Sequence, residues 1–186
     1  MAGLHDEWLV IIDMQTVFAA PDSPWFAPTF NAVREQIAVL VPLFGQRVIF
    51  TRFIPPERVE GSWDHYYRKW AFATDRHDAA LWSLVAPWEN RLSLDTHRFS
   101  KWGPDLQRLA GHAPRMVLCG VSTDCCVMAT ALGAVDDGAF VRVVADACGA
   151  KTPAIHEGAL SLLSSRAPQL VISSLKEECA RLGAAA

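Results

Sequence analysis

The run Val117-Leu118-Cys119-Gly120-Val121-Ser122-Thr123-Asp124-Cys125-Cys126-Val127 takes an apolar strand over a glycine and into a pair of cysteines. The residues that follow, Met128-Ala129-Thr130-Ala131-Leu132, read as helix, which places Cys126 in a first helical turn. Free N–H groups and the positive dipole end gather there and lower a thiol pKa, and the thiolate is the form that attacks carbonyl carbon. Adjacent helical residues point about 100° apart, so only one of the two cysteines can face a site. The pattern favours Cys126. Its backbone N–H and that of Ser122 are candidates for an oxyanion hole, where one donor is worth about 3 kcal/mol. A cysteine hydrolase also needs a base for the thiol proton and a cation beside the charged groups. Asp13, directly after the apolar run Trp8–Ile12, suits the base role.

The elements that must position these groups read as alternating strands and helices. Valine- and isoleucine-rich runs occur at 8–12, 47–51, 115–120, 141–145 and 170–172, with a further short strand near 91–94. Helical periodicity covers 29–43, 104–110, 123–137, 153–164 and 174–183. This is the signature of an α/β fold with a mainly parallel, doubly wound sheet of about six strands, expected as a single domain over residues 1–186. Ligands of such sheets bind beyond the carboxyl ends of the strands, where the strand order reverses. If the strands carrying Asp13 and Cys126 are neighbours, the two residues face each other across that crevice. The segment 54–80, rich in proline and aromatic residues, reads as an irregular excursion that covers or lines a site.

The chain has 186 residues, 51% of them hydrophobic, and a net charge of −3 with the signs mixed along it. That length buries one sizeable core, and no basic block offers a surface for nucleic acid. The polar start Met1–Glu7 lacks the pattern of a signal peptide and no apolar run reaches membrane-spanning length, so a cytoplasmic protein without membrane contact is expected. Five cysteines at 119, 125, 126, 148 and 179, without CxxC spacing, fit reduced thiols rather than a disulfide frame or a zinc site.

Taken in order, Val10-Ile11-Ile12-Asp13-Met14-Gln15 with Phe18, the strand end Phe50-Thr51-Arg52, Gly120-Val121-Ser122-Thr123-Asp124 followed by Cys126-Val127 and Thr130-Ala131, and Val144-Ala145-Asp146-Ala147 resemble the isochorismatase-like cysteine hydrolases. The resemblance spans nearly the whole chain. It implies a three-layer αβα domain, an Asp-Lys-Cys triad and a cis peptide at Val121–Ser122. The family's lysine position, three residues before a Tyr-Ser-Ala-Phe type run, corresponds to Thr96 here, since that run reads Phe99-Ser100-Lys101-Trp102. Threonine cannot hold a positive charge. Lys101, five residues later, is therefore the expected third member, with Arg98 and His97 as the alternative cations. The nicotinamidase branch carries an Asp-x-His element where this chain has Thr51-Arg52-Phe53, and the six histidines show no ligand spacing, so no metal and no cofactor are expected. Isochorismatases proper lack the nucleophilic cysteine, so Cys126 points to the branch that cleaves C–N bonds.

The expected function is a cysteine-dependent amidohydrolase that cleaves a small amide, ureide or N-carbamoyl substrate through a thioester. Asp13, Lys101 and Cys126 would be catalytic, with Ser122 and Cys126 forming the oxyanion hole. Gln15, Phe18, Arg52, Trp63, Tyr66 and Trp102 would meet the substrate, Arg52 as a fork for a carboxylate or carbonyl. Trp25, Tyr67 and Trp70 are further wall candidates. The aromatic surplus and the resemblance suggest a homo-oligomer, dimer or tetramer. The alternative is a catalytically impaired relative that binds a small molecule or acts in an oligomer. A serine hydrolase built on Ser122, Asp146 and His156 lacks the closing glycine of a nucleophile elbow, and a redox role for Cys125 and Cys126 requires a strained bond between adjacent residues.

Overall fold

The computed structural model describes residues 6–74 and 79–183. The first five residues, His77 and the alanine-rich end lie outside them. Six strands, β1 (Trp8–Ile12), β2 (Val48–Phe53), β3 (Ser93–Thr96), β4 (Arg115–Val121), β5 (Phe140–Gly149) and β6 (Leu170–Ser173), form one sheet in the order β3-β2-β1-β4-β5-β6. Every pairing is parallel. Seven α-helices are present among the described residues: α1 (Thr16–Ala19), α2 (Phe30–Leu40), α3 (Ser62–Lys69), α4 (Pro104–Ala110), α5 (Met128–Asp136), α6 (Pro153–Ser164) and α7 (Leu175–Gly183). None is long and apolar enough to cross a membrane.

The expected α/β class and parallel sheet follow from patterning. Leu9 to Ile12 are all buried, as a strand covered on both faces must be. From β1 the chain moves outward through β2 and β3, returns to lay β4 on the other side of β1, and continues outward to β6. Right-handed crossovers in opposite directions put α2 and α5 on opposite faces of the sheet, which gives the three layers. The helix α2 buries Phe30, Val33, Ile37 and Leu40, a single stripe at helical spacing, and α7 packs against it. Pro42 lacks an amide donor, so the helix expected over 29–43 ends at Leu40 and tightens into a 3₁₀ turn at Val41–Phe44. At α6 the N-cap hydroxyl of Thr152 accepts the Ile155 N–H at 3.2 Å, with Pro153 at the first helical position.

The segment read as irregular contains α3, with Tyr67 buried and its aromatic residues packed around Phe53. At the switch point Ile12 lies opposite Gly120. Gly120 has φ +114°, and a Cβ there would stand 2.1 Å from the Ile12 carbonyl oxygen. Only glycine lets β1 and β4 approach this closely while the chain turns toward Ser122.

Candidate active site

Asp13 is fully buried at the end of β1, in the left-handed region at φ +51°. A non-glycine residue stays there only where its surroundings hold it. Thr51 of β2 does so twice: its Oγ1 accepts from the Asp13 amide at 3.3 Å and donates to Asp13 Oδ1 at 2.8 Å. The other carboxylate oxygen faces Lys101, whose Nζ is 2.9 Å from Oδ2, and neither side chain reaches solvent. Lys101 enters from the loop after β3. Its ammonium donates to the Arg98 carbonyl at 3.0 Å and lies 5.2 Å from the centre of the Phe53 ring. Oδ2 thus has a charge contact but accepts no aligned hydrogen bond, which leaves lone pairs able to take a proton. Of the three cations considered, Lys101 is the one on Asp13. Arg98 contributes its carbonyl, and His97 packs against Trp63.

Cys126 lies not in a regular first turn of α5 but in a wide turn, Thr123–Val127, that precedes it. The Ser122 carbonyl accepts from the amides of Cys125 and Val127, the second of these five residues on. The inserted residue swings the cysteine pair relative to α5, a local device frequent at working sites. The peptide bond Val121–Ser122 is cis. Thr130, one turn into α5, donates to the Cys126 carbonyl at 2.6 Å and accepts the Lys101 amide at 2.8 Å. A single hydroxyl therefore ties the lysine loop to the cysteine turn.

The direction of the Cys126 pKa corrects the sequence expectation. A hydrogen bond with Cys125, then burial, then the Asp13 carboxylate push the thiol well above its usual range, with Lys101 pulling the other way. These surroundings favour the thiol over the thiolate. An adjacent base, not a preformed thiolate, must activate it.

Ser122, Cys125 and Cys126 open onto a cavity of about 280 Å³ whose wall is aromatic. Phe18 and Tyr66 line it as expected, joined by Trp25, Trp70, Phe53 and Phe99. Trp25 organises this wall, with Phe18 stacked at 5.9 Å and Phe72 edge-on at 5.1 Å between ring centres. Burial first, then the two neighbouring thiols, holds the Tyr66 phenol above its usual range, so it presents a neutral hydroxyl.

Four expected substrate contacts are corrected. Gln15 is fully buried, donating to the carbonyls of Phe53 (3.0 Å) and Trp82 (2.8 Å) and accepting the Phe53 amide (2.8 Å), so its amide group is spent on backbone. Arg52 forms a two-pronged pair with Asp95, Nε to Oδ1 at 2.9 Å and Nη2 to Oδ2 at 2.5 Å. Trp102 is buried and donates to Asp137 at 2.7 Å. Trp63 belongs to the cluster around Phe53 and Tyr67, behind the wall. The serine-hydrolase constellation also fails to assemble, because Ser122 Oγ donates to Asp124 at 2.6 Å while His156 meets Thr123 Oγ1 at 2.8 Å. Among the described residues no three His, Cys, Asp or Glu side chains converge as a metal site would require.

The isochorismatase domain profile matches residues 7–174, nearly the whole described chain. This chain belongs to the isochorismatase family. It is 39% identical over 66 residues to isochorismatase domain-containing protein 2 of Xenopus laevis, a match that spans 34% of this chain and 32% of that relative. Among solved structures, a cysteine hydrolase from Pseudomonas syringae pv. phaseolicola superposes with a TM-score of 0.83 at 17% identity, covering 100% of this chain and 96% of that one. The nicotinamidase PncA of Bacillus subtilis superposes with a TM-score of 0.72 at 20% identity, covering 91% and 99%. At such identities these likenesses concern the fold. The threonines at 51 and 130 and the cavity residues Phe53, Phe99 and Lys151 were not singled out as site residues from sequence. Thr51 and Thr130 stood within the runs that carry the family resemblance, and Phe99 within the run that located Lys101, without a role attached to them.

Proposed function

We propose that this isochorismatase-family chain is a cysteine-dependent amidohydrolase acting on a C–N bond of a small amide, ureide or N-carbamoyl compound. The observation that carries the reading is the buried Asp13–Lys101 pair beside a pocket whose floor bears Cys126 and Ser122. The fold likeness to a cysteine hydrolase and a nicotinamidase supports the same chemistry.

In this mechanism Asp13 Oδ2 takes the proton of Cys126 as its sulfur attacks the substrate carbonyl carbon. The carbonyl oxygen becomes an oxyanion that accepts from the amides of Ser122 and Cys126. Collapse breaks the C–N bond, and the proton on Asp13 passes to the leaving nitrogen, which departs as ammonia or an amine. A thioester remains on Cys126. Asp13 then takes a proton from water, whose oxygen attacks the thioester, and returns it to the departing sulfur as the carboxylic acid leaves. The Lys101 ammonium, 2.9 Å from Asp13 Oδ2, stabilises whichever of Asp13 and Cys126 bears the negative charge.

The test combines brief alkylation by iodoacetamide at neutral pH, mapped by peptide mass spectrometry, with an ammonia-release screen of amides and ureides. Selective alkylation of Cys126 that falls in Asp13→Asn, together with turnover lost in Cys126→Ser, is the expected result. Uniform slow labelling of all cysteines, unaffected by Asp13→Asn and without turnover, would leave the small-molecule-binding role in its place.

A further inference from the structure

Charge around the cavity is distributed unevenly. Asp13 and Lys101 neutralise each other beneath it, and Arg52, the guanidinium that could have met a substrate carboxylate, is committed to Asp95. Among the described side chains that line the cavity, Lys151 alone bears a charge. It stands two residues beyond the end of β5, on the side of the sheet where the strands' carboxyl ends gather. Its Nζ donates to the carbonyl of Pro24 at 3.2 Å, and Pro24 also lines the cavity. That bond holds the ammonium at the mouth and leaves its other N–H groups to water or a ligand. Between mouth and floor the wall is aromatic, with Trp25, Tyr66 and Trp70 among its surfaces.

A pocket with this layout sorts ligands by three demands. The floor takes a carbonyl at Cys126 and Ser122. The wall takes a flat or apolar body, since burying a charge against aromatic carbon without a partner is costly. The mouth carries the positive charge of Lys151, an exposed ammonium held in place by the Pro24 carbonyl, which attracts an anion at the far end of a bound ligand. We infer that the preferred ligands are small amide compounds with an apolar, planar body and an anionic group at the far end, received by Lys151. This deepens the amidohydrolase reading and rests on it for the identity of the reacting bond, while the charge preference itself is a property of binding.

The test uses Cys126→Ser protein, so that nothing is turned over, and follows quenching of tryptophan fluorescence on titration. The two probes are 4-carbamoylbenzoate and 4-methylbenzamide, alike in shape and different in charge. The carboxylate is expected to bind about fivefold more tightly, a gap that narrows at high ionic strength. Lys151→Met added to the same protein should erase the preference, and Lys151→Arg should keep it. Equal affinities, a preference that survives Lys151→Met, or no saturable binding of either probe would overturn the inference. Failure of the amidohydrolase reading would look different: Cys126 alkylation would ignore Asp13 while the charge preference in binding stood.

Discussion

Lys101 Nζ lies 2.9 Å from Asp13 Oδ2 with both side chains sealed from solvent, although the lysine comes from the loop after β3 and not from the strand. A long flexible stem lets an ammonium reach the same point from a different backbone position, which a short cation or a rigid guanidinium could not do. The carbonyl of Arg98 fixes its approach.

Removing Lys101 should therefore strand a buried carboxylate. Lys101→Met is expected to cost about 3–5 kcal/mol of stability, the usual loss when one partner of a buried pair goes. The Asp13→Asn, Lys101→Met double variant should recover much of it, because no uncompensated charge remains. Thermal melts of the four proteins of this cycle give the coupling directly. Additive losses would mean that the pair is not an energetic unit.

Cys125 is the first cause of the raised Cys126 pKa. Cys125→Ala should thus move the pH profile of Cys126 alkylation to lower pH and speed labelling at neutral pH. Asp13→Asn should instead slow both labelling at neutral pH and any turnover, because losing the base that takes the thiol proton outweighs losing a negative neighbour. Alkylation rates between pH 6 and 10 check both. An unchanged profile in Cys125→Ala would show that the two thiols do not share a proton.

The α/β class, the parallel sheet and the carboxyl-end positions of Asp13, Ser122 and Cys126 were legible in the sequence because a buried parallel strand must be apolar throughout and its end must carry the chemistry. The family resemblance led to Lys101, through the run Phe99-Ser100-Lys101-Trp102. What misled were side chains whose partners lie far along the chain. Arg52 reads as a free fork until β3 brings Asp95 beside it, 43 residues on, and Gln15 reads as a site residue until Phe53 presents its backbone. Thr51 and Thr130 look like ordinary hydroxyls for the same reason. A helix start was visible at Cys126, but not the adjacent thiol, the burial and the Asp13 carboxylate that push its pKa up.

Alkaline stability carries a signature of the buried thiols. Burial is the first cause that pushes Cys119 up, and it likewise pushes Cys148 to about 12, whereas unfolded cysteine titrates near about 8.5. A folded pKa above the unfolded one means that the unfolded chain releases its protons first. Stability is thus complete below about pH 8.5 and falls as pH rises from there. The melting temperature should decline between pH 8 and 10, and Cys119→Ala with Cys148→Ala should flatten that slope even while lowering the melting temperature at pH 7. A slope unchanged by the double variant would assign the decline to other groups.

Thr130 is the positioning residue of this site, since one oxygen serves the Cys126 carbonyl and the Lys101 amide across 29 residues of chain. A threonine that bonds only to the carbonyl four residues back is common in helices and stabilises little. The second bond is what ties the cation's loop to the nucleophile's turn. Thr130→Val keeps the volume and removes both bonds, leaving the buried Lys101 N–H without this partner, at a cost of about 1–3 kcal/mol. Thr130→Ser keeps the hydroxyl and loses a methyl. If the hydroxyl sets the register between Lys101 and Cys126, Thr130→Val should move the pH profile of Cys126 alkylation to higher pH, because Lys101 is the neighbour that pulls the thiol pKa down, and Thr130→Ser should restore it. A purely structural threonine would lower the melting temperature in both variants and leave the profile of the remaining folded protein where it was.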